Sequence, residues 1–312
     1  MKPFNDVYGV ARSGIALATL LTLAANTNLF PLGTVLLDGE TPAFGWSLFV
    51  LFGGHWGRFL GVGLLALVVS GWRPRFTGVL HLWVAASLTH SPGILDGGEH
   101  VAQAMALLML PLSLLDGRRW HWSAAPDTSE PTRVAGRVFL FGLQLQVCLI
   151  YLEAFVAKFE VAEWRNGTAL YYWAADPLVG SGPVVQSLLA PVLSNALLLP
   201  LVTWSVLALE FFLAACIIAG PRVRRVVLPV ALMFHAGIAF MHGISSFALI
   251  MMSCLLLYLR FDKPLGVAQW GLIRRCRLLG IRAMDICSDV KSLGTAWLPG
   301  RDKRRAASGA GA

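Results

Sequence analysis

The sequence predicts an all-α fold: a polytopic helical membrane protein with about eight transmembrane helices plus a re-entrant or interfacial segment. Of the 312 residues, 56% are hydrophobic and only 13% are charged. The apolar residues lie in runs close to the roughly 20 residues that a helix needs to cross a bilayer. Lysine and arginine are also distributed unevenly between the segments that connect these runs, as expected of a membrane protein.

Eight apolar runs are predicted to span the membrane, in chain order: residues 14–30, 56–72, 76–92, 99–115, 136–158, 199–219, 225–243 and 246–261. A ninth stretch, residues 183–198, is interrupted by Pro191 and Asn195. A full crossing there would move the arginines at positions 222, 224 and 225 to the outer side. The stretch is therefore predicted to be re-entrant or interfacial.

The basic residues predict the orientation of the chain. If the N-terminus is inside, every lysine and arginine except Arg58, Lys158 and Arg165 falls in a cytoplasmic segment. Both termini are therefore predicted to be cytoplasmic, in the plasma membrane of a bacterial cell. The net charge of +8 then faces anionic lipid headgroups. Because no nucleic-acid motif accompanies this charge, membrane lipid is the expected partner and nucleic acid is not.

Two parts of the chain are distinguished by composition. Residues 1–262 are predicted to form one transmembrane domain. Residues 263–312 form a basic cytoplasmic tail that mixes apolar residues and arginines as an interfacial amphipathic helix does, with a disordered end. None of the five cysteines lies on the predicted oxidising side, so no disulfide framework is expected.

The fifth predicted span carries two polar stripes, each with a period of seven residues: Gln144, Tyr151 and Lys158 in one, and Gln146, Glu153 and Glu160 in the other. The stripes lie on nearly opposite faces of a helix. A helix that is polar on both sides is poorly suited to the lipid boundary. This span is therefore predicted to be central, packed by other helices or lining a cavity on both sides, with Gln144 and Glu153 buried.

Lys158 ends this span, and an aromatic segment that includes Trp164, Tyr171 and Tyr172 follows it. One interpretation is that the lysine extends to the headgroups within an ordinary aromatic belt. The other is a partly desolvated lysine beneath an aromatic lid, whose neutral amine acts as a base. An ionised Glu153 nearby would oppose the second interpretation, and the sequence leaves both open.

Further ionisable residues lie in or near the other spans. His235 and His242 share one face of the seventh span, and Glu210 lies in the middle of the sixth. Each suits either a structural role or a proton relay. His100 follows Glu99 in the turn that enters the fourth span, where Glu99 is expected to cap the helix. The histidines lack the spacing of helical ligand pairs, so no metal site is predicted.

These motifs resemble the HTTM family. The resemblance rests on the stretch from Tyr151 through Lys158 and Trp164 to Tyr172, on the turn at residues 96–100, and on Phe234-His235. The family comprises the membrane domain shared by vitamin K-dependent gamma-glutamyl carboxylase and its bacterial relatives, and residues 10–262 resemble it. In size the chain is closest to the sporulation-delaying protein B branch, whose members accompany the maturation of a secreted peptide toxin.

The resemblance implies roles for particular residues. In the carboxylase, a lysine deprotonates a reduced quinone, whose reaction with oxygen yields the base that removes a gamma proton from glutamate. Lys158 matches that lysine, and His100 and His235 resemble histidines near the site. Residues expected near a vitamin K-like quinone are Tyr151, Trp164, Tyr171 and Tyr172. His121 lies in a similar pattern, but the predicted topology places it in the cytoplasm.

Three functions follow as hypotheses. The first is a membrane enzyme that modifies or matures a secreted peptide or protein at the outer face, with Lys158 as base. The second is a non-catalytic protein for peptide-toxin export, chaperoning or immunity. The third is a small proton-coupled transporter that uses Glu153, Glu210 and His235, which the lack of an inverted repeat disfavours.

Overall fold

The structure is a computed structural model that describes residues 4–26, 45–90, 97–123, 128–177 and 179–261. These ranges contain helices and no strand beyond one isolated bridge between Trp72 and Trp120. The helices are α1 (Asp6–Ala25), α2 (Leu48–Phe52), α3 (Gly54–Ser70), α4 (Pro74–Thr89), α5 (Gly98–Leu115), α6 (Glu130–Lys158), α7 (Ala162–Arg165), α8 (Ala169–Ala175), α9 (Pro183–Leu193), α10 (Leu198–Ala215), α11 (Pro221–His242) and α12 (Ser245–Leu259).

The all-α prediction is confirmed, and a helix overlaps each of the eight predicted spans. Within the described ranges, five helices are long and apolar enough to cross a membrane: α1, α5, α6, α10 and α11. The helices α3 and α12 are apolar but shorter. The first helix begins at Asp6, eight residues before the predicted span, so Arg12 lies inside it. The predicted tail, residues 263–312, lies outside the described residues.

The ninth apolar stretch forms the helix α9, which has Pro183 at its start and Pro191 inside it. None of its residues is buried. A re-entrant segment needs protein around its irregular backbone, whereas this backbone is helical and its side chains are accessible. The helix α9 is therefore not enclosed by the described residues as a re-entrant segment would be.

The helix α1 lies between two hydrophobic cores. Its residues Tyr8 and Ile15 belong to a core formed with α5, α6, α10, α11 and α12. Its residues Ala16 and Leu23 belong to a second core formed with α2, α3 and α4. Gly14 lets α1 approach α12, because a Cβ at this position would lie 2.1 Å from Ser253 Oγ. This helix therefore joins the two halves of the domain.

The helix α6 has one packed face and one exposed face. Leu143 and Val147 are fully buried, whereas Phe141 and Leu149 are exposed. Glu153 lies on the exposed face. The prediction that this helix is enclosed on both sides, with Glu153 buried, is therefore wrong for the chain by itself. The heptad spacing separated the two polar faces correctly but could not tell which face has protein beside it.

Candidate functional site

The side chain of Lys158 forms an ion pair with Glu210, which joins the end of α6 to the middle of α10. The distance from Lys158 Nζ to Glu210 Oε1 is 2.7 Å. The amine also donates to the carbonyl of Ala154 at 3.2 Å. The two side chains are 21% and 7% exposed, respectively. The lysine is thus neither fully extended to the headgroups nor unpaired, and the carboxylate stabilises positive charge on its amine.

Only one oxygen of the Glu210 carboxylate is used by this contact. The other, Oε2, is buried and has no hydrogen-bond partner among the described residues. An ionised carboxylate accepts several hydrogen bonds, and a buried acceptor without a donor costs free energy. The pair therefore includes one carboxylate oxygen, next to the amine, whose capacity to accept hydrogen bonds is unused by the described residues.

The Trp164 ring covers the amine, with 5.2 Å between Lys158 Nζ and the ring centroid. This contact is cation–π in geometry. The indole of Trp204 in α10 donates to the carbonyl of Trp164 at 3.2 Å, which holds α7 in place. Gly167 follows with φ +80° and packs so closely that a Cβ there would lie 2.8 Å from the backbone of Pro200. The turn after Lys158 is thus fixed against α10.

A second polar contact lies deeper along the same face of α6. Tyr151 Oη and His235 Nε2 share a hydrogen bond of 2.8 Å, and both residues are 2% exposed. The other imidazole nitrogen, Nδ1, is buried and has no partner among the described residues. Phe234 and Phe247 place their rings beside the imidazole. Tyr151 precedes Lys158 by about 10 Å along the helix axis.

The polar stripe of Gln144, Tyr151 and Lys158 faces the protein interior, as the sequence predicts for this set. Each of its residues contacts a different helix. Lys158 pairs with α10, Tyr151 with α11, and Gln144 donates to the carbonyl of Leu257 in α12 at 3.4 Å. One helix face therefore organises three neighbours through polar contacts.

Other predicted site residues lie elsewhere. His100 lines a cavity of about 600 Å³ between α4 and α5, together with Trp83 and Gln103. Tyr171 and Tyr172 are exposed and make an edge-to-face contact with each other. His242 Nδ1 bonds with the carbonyl of Val179 at 2.7 Å. Within the described ranges, none of these four shares a hydrogen bond or ring contact with Lys158 or Glu210.

Comparisons with known proteins show the family of this chain. The HTTM domain model matches residues 109–263. Uncharacterized protein YitO of Bacillus subtilis (strain 168) is 36% identical over 284 residues, which cover 88% of this chain and 91% of that protein. The chain belongs to the HTTM family. Sporulation-delaying protein SdpB of the same organism is also 36% identical, over 266 residues that cover 83% of this chain and 82% of that protein. No solved structure matches the chain.

The matched HTTM range contains α6 to α12, and with them the Lys158–Glu210 and Tyr151–His235 contacts. The helices α1 to α4 precede this range. Further buried charges lie in α1, in α5 and in the connection after α5, and the sequence could not identify their partners.

Arg12 is the first of these. It is 1% exposed, and its guanidinium donates to Thr77 Oγ1 at 2.7 Å and to the carbonyl of Val68 at 3.4 Å. The residue was predicted to lie in a cytoplasmic segment because the apolar run begins at position 14. The helix extends further, so this charge is buried between α1, α3 and α4.

The connection after α5 packs against this region. Asp116 and Arg118 form a buried ion pair of 2.7 Å. His121 Nε2 lies 3.3 Å from Ser13 Oγ, and the ring fills the space beside Gly71, which has φ +81°. Burial, with Arg12 and Arg118 nearby, lowers the pKa of His121 to about 3. The imidazole is therefore neutral and serves packing at this end of the domain.

Glu99 is another buried charge, at 1% exposure. Its carboxylate accepts hydrogen bonds from Thr19 at 3.0 Å and from Thr22 at 2.6 Å, both in α1. The residue lies in the first turn of α5 as expected, but its side chain binds a different helix. It thus links α5 to α1 in addition to its favourable position near the helix N-terminus.

Proposed function

We propose that this HTTM protein modifies or matures a secreted peptide at the outer face of a bacterial plasma membrane, with Lys158 as its base. The observation that carries the proposal is the Lys158–Glu210 ion pair, whose second carboxylate oxygen is buried and has no hydrogen-bond partner among the described residues. A lysine amine paired in this way is partly shielded from water and yet 21% exposed at the end of a helix. A secreted peptide is proposed as the substrate because the chain resembles the sporulation-delaying protein B branch, and it is 36% identical to sporulation-delaying protein SdpB.

The proposal includes the topology. The eight spans are α1, α3, α4, α5, α6, α10, α11 and α12, with α9 at the interface. Both termini are cytoplasmic because nearly all basic residues then lie inside. Under this arrangement α6 runs outward, and Lys158 reaches the outer rim of the membrane.

The chemistry needs a proton to leave the lysine before the amine can act. Ion pairs lose much of their advantage over neutral pairs where water is scarce. Transfer of a proton from Lys158 Nζ to Glu210 Oε1, over 2.7 Å, gives a neutral amine and a neutral carboxylic acid. The amine then accepts a proton from the substrate and becomes an ammonium again, leaving a substrate anion. If the site opens, Oε2, which has no partner among the described residues, would accept a hydrogen bond from the substrate.

A reduced quinone fits these residues chemically. Oε2 of Glu210, which is buried without a partner among the described residues, would accept a hydrogen bond from a phenolic hydroxyl, and the Trp164 ring would offer a flat apolar face next to Lys158. When bound, such a group would supply an acidic hydroxyl and reactivity towards oxygen. Tyr151 is less suited to contact it, because its hydroxyl is already bonded to His235.

The same ion pair favours a second candidate function. A non-catalytic protein for peptide export or immunity would use the contact to lock α6 against α10. In that case only the charges matter, and the ability of Lys158 to lose a proton does not.

Lys158→Arg separates the two candidates. A guanidinium keeps the ion pair with Glu210 but does not act as a base near neutral pH. The masses of secreted peptides are compared between bacterial strains that express the wild type, Lys158→Arg or no copy of the chain. Loss of the wild-type-dependent mass change, at an unchanged membrane protein level, is the result expected of the enzyme.

A charge-free pair serves as the matched second variant. Lys158→Met combined with Glu210→Gln removes both charges without leaving either one buried alone. If the wild-type mass change persists in this variant or in Lys158→Arg, Lys158 is not the base. The ion pair is then structural, and another residue is the base. If the wild type itself produces no mass change relative to the strain without the chain, the non-catalytic function is favoured.

A further inference from the structure

Glu153 places a carboxylate on the outward-facing side of α6, which is long and apolar enough to cross a membrane. The residue is exposed and makes no hydrogen bond or ion pair with the described part of the chain. Leu149 and Val156, about one turn away on either side, are 46% and 53% exposed. A charged group thus lies within a surface that otherwise suits lipid tails.

The depth of Glu153 follows from helix geometry. Arg137 and Lys158 are the basic residues that flank the apolar part of α6, and at 1.5 Å per residue they are about 31 Å apart. This distance is close to the roughly 30 Å of bilayer hydrocarbon. Glu153 lies about 7.5 Å from Lys158 towards the middle. At the centre of a bilayer a charged residue costs about 2.5 to 3.5 kcal/mol, and such residues normally face protein or water.

Gln146 adds a second polar group to the same face, seven residues before Glu153. It is half-buried, and its side chain forms no hydrogen bond within the described ranges. Leu145, Leu149 and Leu152 surround the two polar residues and are all exposed. Apolar side chains with polar groups every two turns are the pattern of a helix that packs against another helix in a membrane.

We infer that this surface, the Glu153 face (Gln146, Leu149, Glu153 and Val156), binds a transmembrane helix of another protein that carries a lysine or arginine at the depth of Glu153. The opposite charge neutralises the carboxylate, and Gln146 bonds to a polar group one heptad away. The inference goes beyond the proposed function and does not depend on proton transfer at Lys158.

A second copy of the chain does not supply the required cation from its described residues. Among the basic residues of the predicted outer half, Arg58 is bonded to the carbonyls of Leu23 and Ala24. Lys158 is paired with Glu210. Arg165 lies in α7, after the membrane end of α6. Charge complementarity therefore favours a different protein as the partner.

The experiment uses the full chain in phosphatidylcholine vesicles, labelled with a fluorescent donor. The probe is a synthetic polyleucine helix of about 24 residues with an acceptor dye and one lysine at the depth of Glu153. Matched peptides carry leucine or glutamate at that position. We expect the lysine peptide to bind about tenfold more tightly than the leucine peptide. In Glu153→Gln the two peptides should bind equally.

Two matched variants complete the test. Glu160→Gln changes an exposed carboxylate beyond the end of α6 and should keep the preference for lysine. Glu153→Lys should transfer the preference to the glutamate peptide. The inference is overturned if Glu153→Gln still prefers the lysine peptide or if Glu153→Lys gains no preference for the glutamate peptide. A peptide-free control mixes copies of the chain labelled with donor and with acceptor. Energy transfer between them that is lost in Glu153→Gln would also overturn the inference, because a second copy would then bind the Glu153 face.

Discussion

Removal of Lys158 tests the energetics of the buried ion pair. Lys158→Met leaves the Glu210 carboxylate 7% exposed, with neither oxygen bonded to a cation. Breaking a buried pair in this way costs about 3 to 5 kcal/mol. The variant can reduce this loss by binding a proton. Protonation of an ordinary glutamate, with a reference pKa of about 4.3, costs about 3.7 kcal/mol at pH 7. We therefore expect a loss of about 3 to 4 kcal/mol in the free energy of unfolding at pH 7.

The opposite change should be milder. Glu210→Gln leaves a lysine whose side chain is 21% exposed at the end of α6. This side chain can extend towards the headgroups, so we expect a loss of about 1 to 2 kcal/mol. The double variant Lys158→Met with Glu210→Gln leaves no charge behind and should lose about 2 kcal/mol. The sum of the two single losses then exceeds the loss of the double variant by about 3 kcal/mol. This interaction energy is within the range measured for residues in contact.

The assay is denaturant unfolding in detergent micelles, followed by tryptophan fluorescence at pH 7 and pH 6. The penalty of Lys158→Met should fall at pH 6, by at most about 1.4 kcal/mol, since the folded variant can hold a proton on Glu210 while the unfolded chain stays ionised. Leu152→Met, an exposed apolar change on the same helix, is the control and should have little effect. Equal stability of Lys158→Met and the double variant, or a penalty independent of pH, would refute the reasoning.

Three further predictions concern other parts of the domain. Because burial lowers the pKa of His121 to about 3, this residue stays neutral in the folded state and takes up a proton in the unfolded state below about pH 6.5. Its contribution to stability should therefore fall by about 2 kcal/mol between pH 7 and pH 5, and His121→Gln should reduce the measured pH dependence by that amount. Gly167→Ala should cost about 1 to 3 kcal/mol in thermal unfolding because of its positive φ and close contact, whereas Gly142→Ala, where a Cβ meets no atom within 4 Å, should be neutral or stabilising. Thr22→Val should cost about 1.5 to 3 kcal/mol in denaturant unfolding by removing a hydroxyl from the Glu99 carboxylate; an unchanged midpoint would contradict this role.

The sequence was most informative about features that depend on the residues of a single helix. The apolar runs predicted helices at all eight positions, because hydrophobic length depends only on local composition. The seven-residue spacing of Gln144, Tyr151 and Lys158 predicted one polar face, and that face is indeed packed. The start of α1 was misplaced because Asn5 caps the helix before the apolar run begins.

The contacts between side chains of different helices could not be predicted from the sequence. Lys158 and Glu210 are 52 residues apart, and Glu99 lies 77 residues from Thr22. Lys158, Glu210 and Glu99 were each singled out from the sequence, but helical periodicity contains no information about which helices are neighbours. The same limit explains the error at Glu153, whose face was identified correctly although its surroundings were not.

The buried charged residues of the described chain have different hydrogen-bond partners, and these partners determine which of them can exchange a proton. Glu99 is bonded to two threonine hydroxyls, and Arg12 to a hydroxyl and a carbonyl. The pair of Asp116 and Arg118 includes a guanidinium, which does not lose its proton in proteins.

Lys158 and Glu210 differ from these because each partner can hold or release a proton. A proton that moves between them changes neither the net charge of the site nor the number of buried ions left alone. The lysine is also partly accessible at a helix end, whereas Arg12 and Glu99 are each 1% exposed. Among the buried charges of the described chain, this pair alone combines proton exchange with access. For that reason Lys158→Arg, which preserves the charge and removes the exchange, is the substitution that bears most directly on function.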